Sequence, residues 1–164
     1  MTDMPSIRIL LVDDEETLLE YLSKRLLKMG HTVKAAFSGE QAVEVAKGEH
    51  FDVAVVDLKM PGIDGVETQK RLREIQPFLQ CIVLTGHGSI ETALESGQQE
   101  AFQYLLKPID YDNLVAIIND AYKKKMKIQE VKFREEVEAI YRSGAGAHGI
   151  KKAMAELRKI YGIE

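Results

Sequence analysis

Residues 52–57 read Asp52-Val53-Ala54-Val55-Val56-Asp57, four apolar side chains in a row closed by a carboxylate. A strand with one wet face alternates apolar and polar residues, so an unbroken apolar run implies cover on both faces. The same pattern recurs in both directions along the chain. Ile7-Arg8-Ile9-Leu10-Leu11-Val12 is nearly continuous and ends in Asp13-Asp14. Thr32–Phe37 reads as a second strand, Cys81–Leu84 as a fourth running into Thr85, and Phe102–Leu106 as a fifth closed by Lys107-Pro108.

Between these runs the apolar period changes from that of a strand to that of a helix. Leu18, Leu19, Leu22, Leu26 and Met29 give helical spacing over Thr17–Met29, stopped by Gly30. Ser38-Gly39-Glu40 opens a helix with Ala42, Val43 and Ala46 on one face. Pro61-Gly62 and Asp64-Gly65 mark a turn before a helix over Val66–Ile75, which Gln76-Pro77 ends. Ile90–Ser96 is a short helix candidate, and Tyr111–Tyr122 is a longer one with Leu114, Ile117, Ile118 and Ala121 facing inward. Five strand–helix repeats with strands this apolar predict a parallel sheet with helices on both sides. Right-handed crossovers then favour an α/β, doubly wound, flavodoxin-like (βα)5 fold with strand order 2-1-3-4-5.

The 164 residues hold one domain of ordinary size and an appendage. Apolar residues form 45% and charged residues 29% of the chain, as in soluble globular proteins. No apolar run approaches the roughly 20 residues of a membrane helix. Met1–Ser6 lacks the basic start and apolar stretch of a signal peptide, so a cytoplasmic protein is expected. One cysteine, Cys81, excludes an internal disulfide framework, and its apolar neighbours point to a buried structural thiol. The formal charge of −4 is uneven: residues 1–122 carry 11 Lys/Arg against 20 Asp/Glu, whereas residues 123–164 carry 11 against 6. An acidic body therefore precedes a basic tail.

In such a sheet, ligands bind beyond the carboxyl ends of the strands. There the sequence places Asp13 and Asp14, Asp57, Thr85 and Lys107, while the second strand offers nothing ionisable. Taken singly, each has an ordinary structural explanation: an Asp after a strand is commonly a turn former or helix cap, and acidic residues suit a helix N-terminus. Their conjunction does not. Three clustered carboxylates repel one another unless a cation joins them. All-oxygen donors suit a hard divalent ion such as Mg²⁺, and no His or Cys stands where zinc would need it.

The segments Ile9–Glu15, Val56–Gly65, Leu84–Gly88 and Tyr104–Ile109 resemble, in residue type, order and spacing, the four signature blocks of bacterial two-component response-regulator receiver domains. The resemblance covers about residues 6–122. It implies a phosphoacceptor switch rather than a turnover enzyme, one that assists its own phosphorylation and dephosphorylation. Asp57 would be the nucleophile. Asp14 would bind Mg²⁺ directly, Asp13 directly or through water, with Asp57 and the backbone carbonyl of Lys59 completing the protein ligands. Lys107 would contact the phosphoryl oxygens and Asp57, Thr85 would hydrogen-bond the phosphoryl group, and Tyr104 would swing inward with Thr85. Lys107-Pro108 resembles the family's cis bond. The implied partners are a sensor histidine kinase or phosphotransfer protein and a downstream protein target. A homodimer could form through the face built by the fourth helix, fifth strand and fifth helix, or through the tail.

Two features depart from that pattern. Gly97-Gln98-Gln99 is polar where receivers carry apolar residues, and Glu100 stands at a glycine position, which predicts a shortened or mobile helix and an altered loop before the fifth strand. Lys59 and His87 fall at site-edge positions expected to tune dephosphorylation. The second departure is residues 123–164, expected as a helical extension to the 1–122 receiver. Lys123–Lys127 should continue the preceding helix. Phe133, Val137, Ile140 and Tyr141 share a face, Ser143–Ala147 breaks the helix, and Ile150, Met154, Leu157 and Tyr161 line a second one. Acidic residues interleave its basic ones and no nucleic-acid recognition motif is present.

Three other readings are weaker. A haloacid-dehalogenase-like phosphatase would need an Asp where Lys59 stands. A flavodoxin-type cofactor binder would set FMN phosphate against Asp13-Asp14-Glu15. An interaction module without phosphorylation would not need all five site residues.

Overall fold

The computed structural model describes residues 5–86 and 101–163. In chain order the elements are β1 (Arg8–Val12), α1 (Glu16–Lys28), β2 (Thr32–Ala36), α2 (Gly39–Gly48), β3 (Val53–Asp57), α3 (Gly65–Ile75), β4 (Gln80–Thr85), β5 (Gln103–Leu106), α4 (Tyr111–Arg142) and α5 (Ala147–Tyr161). The five strands form one sheet in the order β2-β1-β3-β4-β5, and every neighbouring pair is parallel. The helix candidate over Ile90–Ser96 and the altered loop at Gly97–Glu100 lie outside the described residues, as does His87.

Residues alternate across the strands into two cores. Ile9 and Leu11 of β1 and Val53 and Val55 of β3 meet Leu19, Leu22 and Leu26 of α1 and Leu114, Ile118 and Ala121 of α4. Leu10, Val12, Ala54 and Val56 point the other way, onto Ala42 and Ala46 of α2 and Leu72 of α3. Burying a leucine or valine side chain contributes roughly 1.5–3 kcal/mol, so apolar runs with no polar interruption are what this two-sided arrangement selects. A single carboxamide ties α3 to the loop before β3: Gln76 accepts from the Phe51 N–H at 2.9 Å and donates to the carbonyls of Ala46 (2.9 Å) and Glu49 (2.7 Å).

Helix starts follow the capping chemistry of the sequence. The Ser38 hydroxyl accepts from the Gln41 N–H at 3.1 Å, and an Asp64 oxygen accepts from the Glu67 N–H at 2.9 Å. Gly30 follows α1 at φ +92°, a conformation that a side chain would strain. Met29, expected on the inner face of α1, is instead its C-cap and 40% exposed, because the helix has already ended there; its Sδ receives the Tyr111 hydroxyl at 3.1 Å.

The chain divides into two compact units, Met1–Lys123 and Lys124–Glu164. The second contains the latter part of α4 and all of α5. Gly144, at φ +75°, stands in the turn between the two helices, and the Ser143 hydroxyl donates to the Ile140 carbonyl at 2.6 Å. Tyr161 at the end of α5 meets Phe133 edge-to-face, ring centres 5.4 Å apart, so the two helices form an antiparallel hairpin. Tyr141 does not share its inner face. It is 62% exposed, because one residue beyond Ile140 the helix has turned by about 100°.

Candidate functional site

Register brings the site together before any side chain is considered. Val12 pairs with Val56, Asp57 with Leu84, and Thr85 with Leu106. Asp13, Asp57, Thr85 and Lys107 therefore stand at adjacent strand ends on one rim. Backbone hydrogen bonds hold the chain where it leaves the sheet: the Asp13 N–H donates to Ala36 O (3.2 Å), Leu58 N–H to Leu84 O (2.8 Å), and Lys107 N–H to Thr85 O (2.8 Å). The turn after Asp57 closes by a 2.8 Å bond from Gly65 N–H to Leu58 O. A β-carbon on Gly65 would lie 2.3 Å from the Asp57 carbonyl oxygen, so only glycine lets α3 start this close to the acceptor strand.

Asp13, Asp14 and Asp57 each bring a carboxylate oxygen within 4.8 Å of the others. Asp13 is fully buried, Asp57 nearly so, and Asp14 is exposed. The Lys107 ammonium lies among them, with Nζ 2.9 Å from Asp13 Oδ2 and 3.6 Å from Asp57 Oδ1. It also reaches Glu15 Oε1 at 3.4 Å. The other Asp13 oxygen accepts the Glu15 N–H at 2.9 Å. Burial, followed by the charge of Asp13, pushes Asp57 up to about 6, against the opposing pull of Lys107 and of the Lys59 backbone N–H. Burial works to lower Lys107, but its hydrogen bond to Asp13 and the charges of Asp13, Asp57 and Glu15 outweigh it, so its pKa is raised.

The remaining expected residues are close by. Thr85 is buried at the end of the strand beside β3, and its hydroxyl donates to the Gly86 carbonyl at 3.2 Å. Half-buried Tyr104 packs against the cluster of Leu58 and Val83. Lys59 has an exposed side chain and meets the site through its backbone. The Lys107–Pro108 peptide is cis.

Two contributors had no assigned role in the sequence. Glu15 shares Lys107 with the aspartates. Glu40, at the start of α2, accepts the Ile63 N–H at 2.9 Å and so holds the loop that follows Asp57. Glu15 follows directly on the acidic pair and could have been suspected; the reach of Glu40 across 23 residues carries no local signal.

Three carboxylates share the Lys107 ammonium at this rim, with Asp14 as a fourth beside them, and Asp57 already resists ionisation. The arrangement has excess negative charge and oxygen donors alone, and could hold a hard divalent cation. No described helix is long and apolar enough to cross a membrane.

The family profile described as "Response regulator receiver domain" matches residues 9–119. The transcriptional regulatory protein GlrR of Escherichia coli (strain K12) is 36% identical over 129 residues, which cover 79% of this chain and 29% of that protein. The chain thus spans less than a third of this curated relative. Among solved structures, a response regulator receiver domain protein from Clostridium thermocellum is 31% identical with a TM-score of 0.69, covering 74% of this chain and 98% of that one. The response regulator TrrA from Thermotoga maritima, solved in complex with Mg(2+)-BeF, is 30% identical with a TM-score of 0.62, covering 70% and 98%. Sheet order, rim chemistry and sequence likeness agree: this chain belongs to the response regulator receiver domain family of two-component signal transduction.

Proposed function

We propose that the chain is a phosphorylation switch: Asp57 accepts a phosphoryl group from a sensor histidine kinase or phosphotransfer protein, and the phosphorylated form signals by protein–protein contact. The observation that carries this reading is the convergence of three carboxylates within 4.8 Å, with Lys107 3.6 Å from the Asp57 oxygen. Asp13, Asp14, Asp57 and the Lys59 carbonyl would hold Mg²⁺, the ion named in the TrrA complex. When bound it would offset the repulsion between carboxylate and phosphoryl oxygens.

An Asp57 oxygen attacks phosphorus in line while the bond to the donor breaks. The carboxylate must be ionised to do so, which the positive charge around it favours. Lys107, freed from part of its hold on Asp13, pairs with the charge spread over the equatorial oxygens. The acyl phosphate brings about two negative charges and three acceptor oxygens to a rim where the Thr85 hydroxyl now serves only the Gly86 carbonyl. Thr85 turns to the phosphoryl group, and Tyr104 follows into the space it leaves. The chain is a phosphoacceptor that assists its own phosphorylation and dephosphorylation, not an enzyme acting on a separate substrate.

The test is intact mass after incubation with acetyl phosphate and Mg²⁺, for the wild type and Asp57→Asn. One added phosphoryl group that needs Mg²⁺ and is absent from the variant is expected. Phosphorylation persisting in Asp57→Asn would move the acceptor elsewhere. No gain from either acetyl phosphate or a panel of phosphorylated histidine kinases would overturn the switch.

A further inference from the structure

We infer that the outer face of the second unit's long helix is a self-association surface, and that a second copy of this chain docks on it antiparallel, about a two-fold axis at Val131. The inner face of this stretch of α4 is already used, since Phe133 lies against Tyr161 of α5. Half a turn around the helix from Phe133, Lys124, Lys127, Ile128, Val131, Glu135 and Glu138 line up as one stripe. Ile128 is 38% and Val131 44% exposed, and they floor a shallow apolar groove of about 350 Å³ with lysines and Glu135 at its edges.

The order of charges along the stripe identifies the occupant. Along the stripe two lysines come first, two aliphatic side chains sit in the middle and two glutamates come last, with Lys132 flanking the groove to one side. An antiparallel copy centred on Val131 sets Lys124 opposite Glu138 and Lys127 opposite Glu135, because both pairs are symmetric about position 131. By the two-fold each pair occurs twice, and Val131 meets its own counterpart, as an isologous interface requires. A parallel copy in register would instead set lysine on lysine and glutamate on glutamate, which is unfavourable. The stripe spans about 21 Å of helix, which places the contact at the small, reversible end of protein interfaces.

The experiment is sedimentation equilibrium of the full chain from about 10 to 300 μM, where a small interface of this kind should titrate. The mean mass is expected to rise from 18.5 kDa toward twice that value, and to fall back in 0.5 M NaCl, which screens exposed charge pairs. Val131→Glu and the double reversals K124E/K127E and E135K/E138K should each be monomeric throughout, while an equimolar mixture of the two double reversals should dimerise again. Unchanged helical circular dichroism in each variant excludes misfolding. Orientation is read by disulfide trapping: Lys127→Cys mixed with Glu135→Cys should give a mixed dimer, and neither variant should cross-link alone. A monomeric wild type at 300 μM, a dimer indifferent to these substitutions, or K127C cross-linking to itself would each overturn the proposal.

Discussion

In the sheet-bearing unit every residue of β3 and β4 is buried, whereas in the helical hairpin Leu157 is the one hydrophobic side chain among the described residues to reach that state. Ile160 at 74% and Tyr141 at 62% exposed lie in the hairpin as well. A central parallel strand receives cover from both sides, so its whole length can be apolar. A helix paired with a single other helix has one covered stripe, and the rest of its circumference must be polar or await a partner. The units therefore differ in how much of their stability is internal, and each prediction below tests that contrast.

The largest effect is expected in the sheet. Leu11→Ala, at a fully buried position between α1 and α4, should lower the unfolding free energy by about 3–4 kcal/mol in urea melts, through lost transfer energy and the cavity left behind. Leu157→Ala should cost about 2 kcal/mol, at the low end for such a truncation because its surroundings can collapse onto it. It should move an early helical transition at 222 nm and leave the tertiary signal of the sheet in place. If both substitutions shift one coincident transition equally, the two units are a single cooperative body and the contrast fails.

A third substitution changes sign. Folding raises Asp57 from an ordinary 3.8 to about 6. Without metal, its contribution to stability is undiminished below about pH 4, declines between there and about pH 6, and stays diminished above. Asp57→Asn should therefore stabilise the metal-free protein at pH 8 by on the order of 1 kcal/mol, after allowing for water at the rim, and should give no gain at pH 4. The check is a pair of urea melts at the two pH values, and a loss of stability at pH 8 would contradict it. The last contrast concerns Cys81, whose thiol burial pushes up to about 12. A thiol reagent should label it at least about 10³-fold more slowly in the native protein than in urea, at a rate unchanged by Leu157→Ala and raised by Leu11→Ala.

Much of this was legible in the order of residues. Strands showed as apolar runs because two-sided cover leaves no place for a polar residue, and Asp13, Asp14, Asp57, Thr85 and Lys107 stood out because each directly follows such a run or closes one. What was not legible depends on side-chain reach rather than position. Glu15 claims Lys107 alongside Asp13, and Glu40 closes a loop 23 residues away, contacts that no periodicity encodes. Tyr141 shows the other limit: an apolar residue one step off a stripe looks like part of it until the helix's rotation is resolved. Similarly, helical spacing could not show that Met29 caps α1 rather than facing its core.

The raised pKa of Asp57 also makes the rim a store for a proton. Near pH 6 about half of the molecules carry hydrogen on this carboxyl, and a divalent cation entering among the aspartates would have to expel it. Titration calorimetry with Mg²⁺ at that pH should then report a heat that depends on the buffer, more exothermic in imidazole, which takes up protons with a large evolution of heat, than in MES, which takes them up with a smaller one. At pH 8, where Asp57 has already given up its hydrogen, the heat should no longer depend on which buffer is chosen.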